Sequence, residues 1–289
     1  MTRRPDFLSF DVTGGTLGAL RWSGIDGAPT VLAVHGITAN GWHFDPLAHQ
    51  LSGGAHVVAV DLRGRCRSHA HAGPFGLRAH ASDVATIAGH LGEPVILLGH
   101  AMGAFVALLA AELHPELFRG IVLVDGGTPL TLPDGDIEDA LVASLGPAVA
   151  RLRVTWPDRV SYQTMWSQHP AFTDGIGLDL QRTLLADLVE APGGFRSAVS
   201  EAAVLIDGRE LLLDEHVRTV LTRRNEPTTI VRAPEGMLGA LPPLISDETV
   251  EAFPDHRWTT VPGTNHYTLL LGVDGASAIA AAIRNELAA

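Results

Sequence analysis

The chain has 289 residues, of which 46% are apolar, enough for a substantial core in one large domain or two small ones. Its 20 basic residues, all arginine, stand against 32 acidic ones for a formal net charge of −12, a balance that repels phosphate backbones and anionic lipid. Nucleic acid and membrane are therefore excluded as expected partners. One cysteine, Cys66, can form no internal disulfide and leaves no thiol cluster for a metal, so a reducing compartment and no metal or cofactor are expected. The opening Met1 to Asp6 carries no apolar signal core, and no apolar run approaches the ~18 residues of a membrane span. A cytoplasmic protein acting on a small molecule is expected, with its oligomeric state left open.

In chain order, Phe7 to Val12 and Leu17 to Trp22 read as an opening hairpin around Gly14-Gly15. Thr30 to His35, His56 to Leu62, Pro94 to Gly99 and Gly120 to Asp125 follow as short apolar runs, the form of strands buried on both faces. Trp42 to Leu51, Leu77 to Leu91 and Ala101 to Leu113 are long enough to be helical crossovers between them. The rhythm then breaks, and residues 127–225 show helix-length stretches and no convincing strand before Thr228 to Arg232. Strand Arg257 to Val261 and a helix from Gly275 to Leu287 close the chain. The pattern predicts an α/β core of residues 1–126 and 226–289, with residues 127–225 inserted as a helical cap.

Candidate chemistry begins where strand Val95 to Gly99 turns at once into a helix through Gly99-His100-Ala101-Met102-Gly103. That segment resembles the G-x-S-x-G nucleophile elbow of the α/β-hydrolase superfamily, with Ala101 in the nucleophile's place. Read alone it could be an ordinary glycine-rich turn, but three other segments agree at the right distances. Val34-His35-Gly36-Ile37-Thr38 is similar to the superfamily's oxyanion loop, which implies that the N–H groups of Ile37 and Met102 form the oxyanion hole. His35 is expected to hold this loop, and Gly36, Trp42 and His43 to lie near the substrate. Asp61-Leu62-Arg63-Gly64-Arg65-Cys66-Arg67-Ser68 resembles a loop after the next strand, with Cys66 where glycine is usual. In Asn265-His266-Tyr267, His266 falls where the superfamily places its general base.

Two acids could orient His266. Asp125 ends the strand after the nucleophile helix and precedes two glycines, whereas Glu235 follows the penultimate strand one position out of register with the family pattern. Asp125 is favoured. The resemblance implies an eight-stranded-type, mostly parallel sheet and acyl chemistry on a serine.

Alanine cannot be a nucleophile, so the chain as written is expected to be inactive. With the rest of the machinery in place, a serine-to-alanine replacement that traps substrate is preferred to a non-catalytic ligand-binding protein. Met102 after the elbow fits G-H-S-M-G better than the aspartate nucleophile of epoxide hydrolases, which usually has an aromatic residue there. Trp156, Tyr162, Met165, Trp166 and Phe172 cluster in one stretch of the insertion, against an overall aromatic content of 6%. They suggest a bulky apolar ester or macrolactone as substrate, with C–C bond hydrolysis the alternative.

Overall fold

The computed structural model describes residues 4–130, 137–173 and 175–288, so Met1 to Arg3 of the expected leaderless start lie outside the described residues. Strands β1 (Asp6–Val12), β2 (Gly15–Trp22), β3 (Thr30–Val34), β4 (His56–Val60), β5 (Val95–His100) and β6 (Phe118–Val124) precede the 127–225 segment. Hairpin strands β7 (Leu188–Ala191) and β8 (Gly194–Ser197) lie within it, and β9 (Thr229–Arg232) and β10 (Arg257–Thr260) follow. Eight of these form one sheet in the order β1-β2-β4-β3-β5-β6-β9-β10. Only the β1–β2 and β2–β4 pairings are antiparallel; every other neighbour is parallel.

Parallel strands need crossovers, and these cover both faces of the sheet. The helices are α1 (Asp45–Gln50), α2 (Leu77–Leu91), α3 (Met102–Leu113), α4 (Ile137–Leu152), α5 (Arg159–Ser167) and α6 (Leu178–Leu185), then α7 (Glu201–Leu213), α8 (Glu215–Arg218), α9 (Asp247–Ala252), α10 (Thr268–Leu271) and α11 (Val273–Ala288). Side chains alternate along a strand, so Leu97 packs towards Val84 and Ile87 of α2 and Phe105 of α3, while Ile96 and Leu98 pack towards Ile279 and Ile283 of α11. This two-sided burial is why the central strands read as unbroken apolar runs.

Two expectations need correction. The stretch Trp42 to Leu51 is a 3₁₀ turn, Gly41–Phe44, followed by the six-residue α1, because Asn40 caps the turn and Pro46 sits at the start of the next. Nor is the insertion purely helical: β7 and β8 pair antiparallel from Leu188–Ser197 to Ala191–Gly194 as a second, two-stranded sheet. Their four residues each, with Pro192-Gly193 at the turn, are too few for a clear alternating pattern. No helix of the described residues is long and apolar enough to cross a membrane.

Candidate active site

The strand-to-helix turn after β5 puts Ala101 at φ +53° and ψ −121°, a conformation that side chains with a Cβ rarely adopt. The glycines on either side are sterically required: a Cβ on Gly99 would stand 2.3 Å from the Gly103 carbonyl oxygen, and one on Gly103 would stand 2.2 Å from that of Val34. The turn lifts position 101 off the end of the sheet. Met102 then opens α3, so its N–H has no acceptor a turn back along the helix.

The neighbouring loop after β3 is held from beneath. The Leu62 N–H donates to His35 Nε2 at 3.0 Å, which leaves the proton on Nδ1 to donate to the Gly36 carbonyl at 2.7 Å. Burial pushes the His35 pKa well below the ordinary value and keeps the ring neutral, as an internal brace requires. Arg65 donates from Nε and Nη2 to the Ile37 carbonyl at 3.0 and 2.9 Å, and its guanidinium is itself paired with the buried Asp207 of α7 at 2.6 Å. With its carbonyl held in this way, Ile37 lines the same cavity as Ala101, and Met102 follows Ala101 directly in the chain.

On the other side, His266 Nδ1 donates to Asp125 Oδ2 at 2.8 Å, with both residues buried. Asp125 takes φ +46° at the end of β6; its N–H donates to the Val231 carbonyl, and its Oδ1 accepts from the Ala233 N–H at 3.2 Å. Glu235 only bridges by backbone to Asn265 and gives His266 no hydrogen bond. Asn265 fixes the histidine loop: its Nδ2 donates to the Ala171 carbonyl, and its Oδ1 accepts from the Tyr267 and Thr268 N–H groups. The His100 ring stacks on His266 with centroids 4.7 Å apart and donates from Nε2 to the His266 carbonyl at 3.2 Å.

Above Ala101 and His266 lies a cavity of about 70 Å³. The loop after β3, Gly36 to Asn40, forms one wall together with His43, and the segment between β6 and β9 supplies Tyr162, Trp166, Leu184 and Asp187. Burial lowers the His43 pKa to about 4, helped by the positive charge of Arg151, so it is neutral at ordinary pH. Arg151 donates to Thr38 Oγ1 at 3.3 Å and lies 4.8 Å over the Trp166 ring, which ties α4 to the loop.

Several expected substrate neighbours are elsewhere. Trp42 packs edge-on against Trp22 at 6.2 Å, because Trp22 comes from β2 directly behind it. Trp156 packs edge-on against Tyr162 at 5.5 Å and pairs by backbone with Phe195 of the hairpin. Met165 packs in the aromatic cluster, while the Met102 side chain lies in the core beneath the elbow. His35 is wholly internal. The aromatics of the insertion fill space against one another and Tyr267 rather than enclosing a large void.

Asp187 escaped sequence reading altogether. It belongs to no motif and reaches the cavity only because the α6–β7 turn folds over it. Tyr267, beside the histidine, could have been found by its position.

The sequence model of the alpha/beta hydrolase fold family matches residues 29–273. Among curated proteins, a lipase, LipV, from Mycobacterium tuberculosis is 31% identical over 241 residues, covering 79% of this chain and 81% of that protein. A 2-(acetamidomethylene)succinate hydrolase from Mesorhizobium japonicum is 28% identical over 83% of this chain and 82% of its own length. Among solved structures, that of E-2-(acetamidomethylene)succinate hydrolase superposes with a TM-score of 0.76 at 26% identity, covering 98% of this chain and all of that one.

Proposed function

The chain belongs to the alpha/beta hydrolase fold family, and on that premise we propose that it is a carboxylic-ester hydrolase in which position 101 is the nucleophile's seat. Ala101 makes the present sequence a substrate-holding, non-turning-over form. The carrying observation is the His266–Asp125 pair, buried at 2.8 Å beside a turn that still holds Ala101 at φ +53°. Such a backbone costs of order 1–3 kcal/mol, and an alanine gains no chemistry in return. The reading further takes residues 127–225 as an inserted cap on a core of 1–126 and 226–289, and the single cysteine supports a reducing, cytoplasmic setting.

With serine at 101, its hydroxyl proton passes to His266 Nε2 as Oγ attacks the ester carbonyl carbon. Asp125 holds the imidazole tautomer and stabilises the imidazolium without taking its proton. The carbonyl oxygen becomes an alkoxide that accepts from the Ile37 and Met102 N–H groups, each such donor contributing about 3 kcal/mol to the barrier reduction. Collapse breaks the bond to the alcohol, which leaves with the proton from His266. Water then attacks the acyl-enzyme, His266 takes its proton and returns it to Oγ, and the carboxylic acid departs.

A cavity of about 70 Å³ favours a short acyl group. Pockets for drug-sized ligands run to about 300–1,000 Å³, so the bulky ester or macrolactone suggested by the aromatic residues would require the cap to lift. Asp187 on the wall also disfavours anionic guests. That argues against the enol carboxylate of a C–C bond hydrolase, and against carrying over the dicarboxylate named for the succinate-hydrolase relative. Ala101 itself favours a second reading, a receptor that binds its ligand without turnover.

The test is Ala101→Ser with short activated esters. Hydrolysis that appears with this change and disappears again with His266→Ala supports the enzyme; a folded, inert Ala101→Ser protein that still binds ligand supports the receptor.

A further inference from the structure

Four residues around the cavity each leave one buried side-chain atom with no hydrogen-bond partner: Asn40 Nδ2, His100 Nδ1, Trp166 Nε1 and Asp187 Oδ1. All four residues are more than nine-tenths buried, at 1%, 5%, 6% and 7% exposure respectively. Unpaired buried polar atoms cost of order 1–3 kcal/mol each, so four around one small void mark a space that is completed by something polar.

The chemistry of that guest follows from the partners already taken. Asp187 Oδ2 accepts from the Tyr162 hydroxyl at 2.9 Å and the Ser197 hydroxyl at 2.7 Å, which fixes the carboxylate plane and leaves Oδ1 as an acceptor only. Asn40 Oδ1 accepts from the Trp42 N–H at 2.9 Å, so its Nδ2 faces outward from that bond as a donor. Trp166 Nε1 is likewise a donor, and His100, whose Nε2 donates to the His266 carbonyl, presents Nδ1 as an acceptor. The free set is thus two acceptors and two donors, and one acceptor is a carboxylate oxygen.

We propose that the Asp187 wall is a specificity subsite for a short acyl group bearing its own hydrogen-bond donor, a hydroxyl or an amide N–H. A hydroxyl gives its proton to Asp187 Oδ1 and accepts from Trp166 or Asn40; an amide gives its N–H to the carboxylate and its carbonyl to a donor. An unsubstituted alkyl chain leaves every one of these atoms unpaired, and sites built this way reject the analogue that lacks the polar group. The subsite rests on the ester-binding reading above, but its test does not require turnover.

The experiment measures equilibrium binding to the Ala101 protein by NMR titration, using methyl butanoate, methyl 2-hydroxybutanoate and methyl 3-hydroxybutanoate as matched probes. At least one hydroxylated ester is expected to bind tenfold or more tightly than the plain one, and Asp187→Asn is expected to collapse that ratio towards one. Equal affinity for all three, or no binding by any, overturns the subsite and makes the cavity a seat for ordered water only. A tenfold ratio that survives Asp187→Asn in a protein of parental melting temperature overturns the assignment to Asp187. Selective binding followed by no hydrolysis after Ala101→Ser would remove the ester-hydrolase reading and leave the subsite standing; hydrolysis without selectivity would do the reverse.

Discussion

The two donors of Arg65, Nε and Nη2, converge on one carbonyl oxygen, that of Ile37, at 3.0 and 2.9 Å, while Nη2 also faces Asp207 at 2.6 Å. One side chain therefore links the loop after β3 to α7, with Ile37 and Asp207 170 residues apart in the chain. Arg65→Ala would remove the guanidinium from the buried Asp207, leaving it hydrogen bonds to His80 and the Gly76 N–H, and would free the loop. A loss of about 3–5 kcal/mol is expected, read as a lower urea midpoint, and an unmoved midpoint would refute it.

The geometry at His266 ranks the two acids. In the Ala101→Ser background, Asp125→Asn should lower kcat by about 10⁴, since the asparagine stabilises the wrong tautomer. Glu235→Gln, with no hydrogen bond to the histidine, should change it by less than about tenfold. The reverse ranking would move the role to Glu235.

Burial pushes the Asp187 carboxyl up to about 6, against hydrogen bonds from Ser197 and Tyr162 and the charge of Arg151, which lower it, while Asp61 adds to the rise. Its folded-state pKa is above its unfolded one, so the native state binds the extra proton. Below the ordinary value of 3.8 both states are protonated; as pH climbs from there through about 6, stability falls by up to roughly 3 kcal/mol. Asp187→Asn has no such proton to lose. Between pH 4 and pH 7.5 the variant should gain on the parent in denaturant midpoint, and a gap that does not vary with pH would count against this assignment.

Cys66, standing where glycine is usual, holds φ +42°, and its thiol donates to the Ala186 carbonyl at 3.3 Å. Burial pushes its pKa far above the ordinary thiol value. The native protein should therefore resist iodoacetamide at pH 8 and react fully once unfolded. Rapid labelling of the folded state would show that the thiolate is accessible after all.

What could be read before the structure was known follows from what is local. The helix length of Leu77 to Leu91 and the glycines flanking Ala101 are contained within single segments, and both match the structure closely. His266 and Asp125 were placed by chain order within a family, which carries information that a single side chain lacks. Trp42 and Trp156 were misplaced because an aromatic residue looks the same in sequence whether it packs against a neighbour or lines a void. The β7–β8 hairpin is too short to show an alternating pattern. Asp187 is brought to the cavity by tertiary folding alone, and its missing partner is visible only once the hydroxyls of Tyr162 and Ser197 are seen on the other oxygen.

The central claim, that position 101 is the seat of a nucleophile served by His266 and Asp125, is tested most directly by mass spectrometry after exposure to a small alkyl fluorophosphonate. The Ala101→Ser protein should gain one phosphonyl adduct, mapped by peptide sequencing to position 101, while the parent gains none there and the His266→Ala double variant reacts at least about a hundredfold more slowly. A folded Ala101→Ser protein that takes up no adduct at that position, or takes it up at the same rate without His266, would contradict the account.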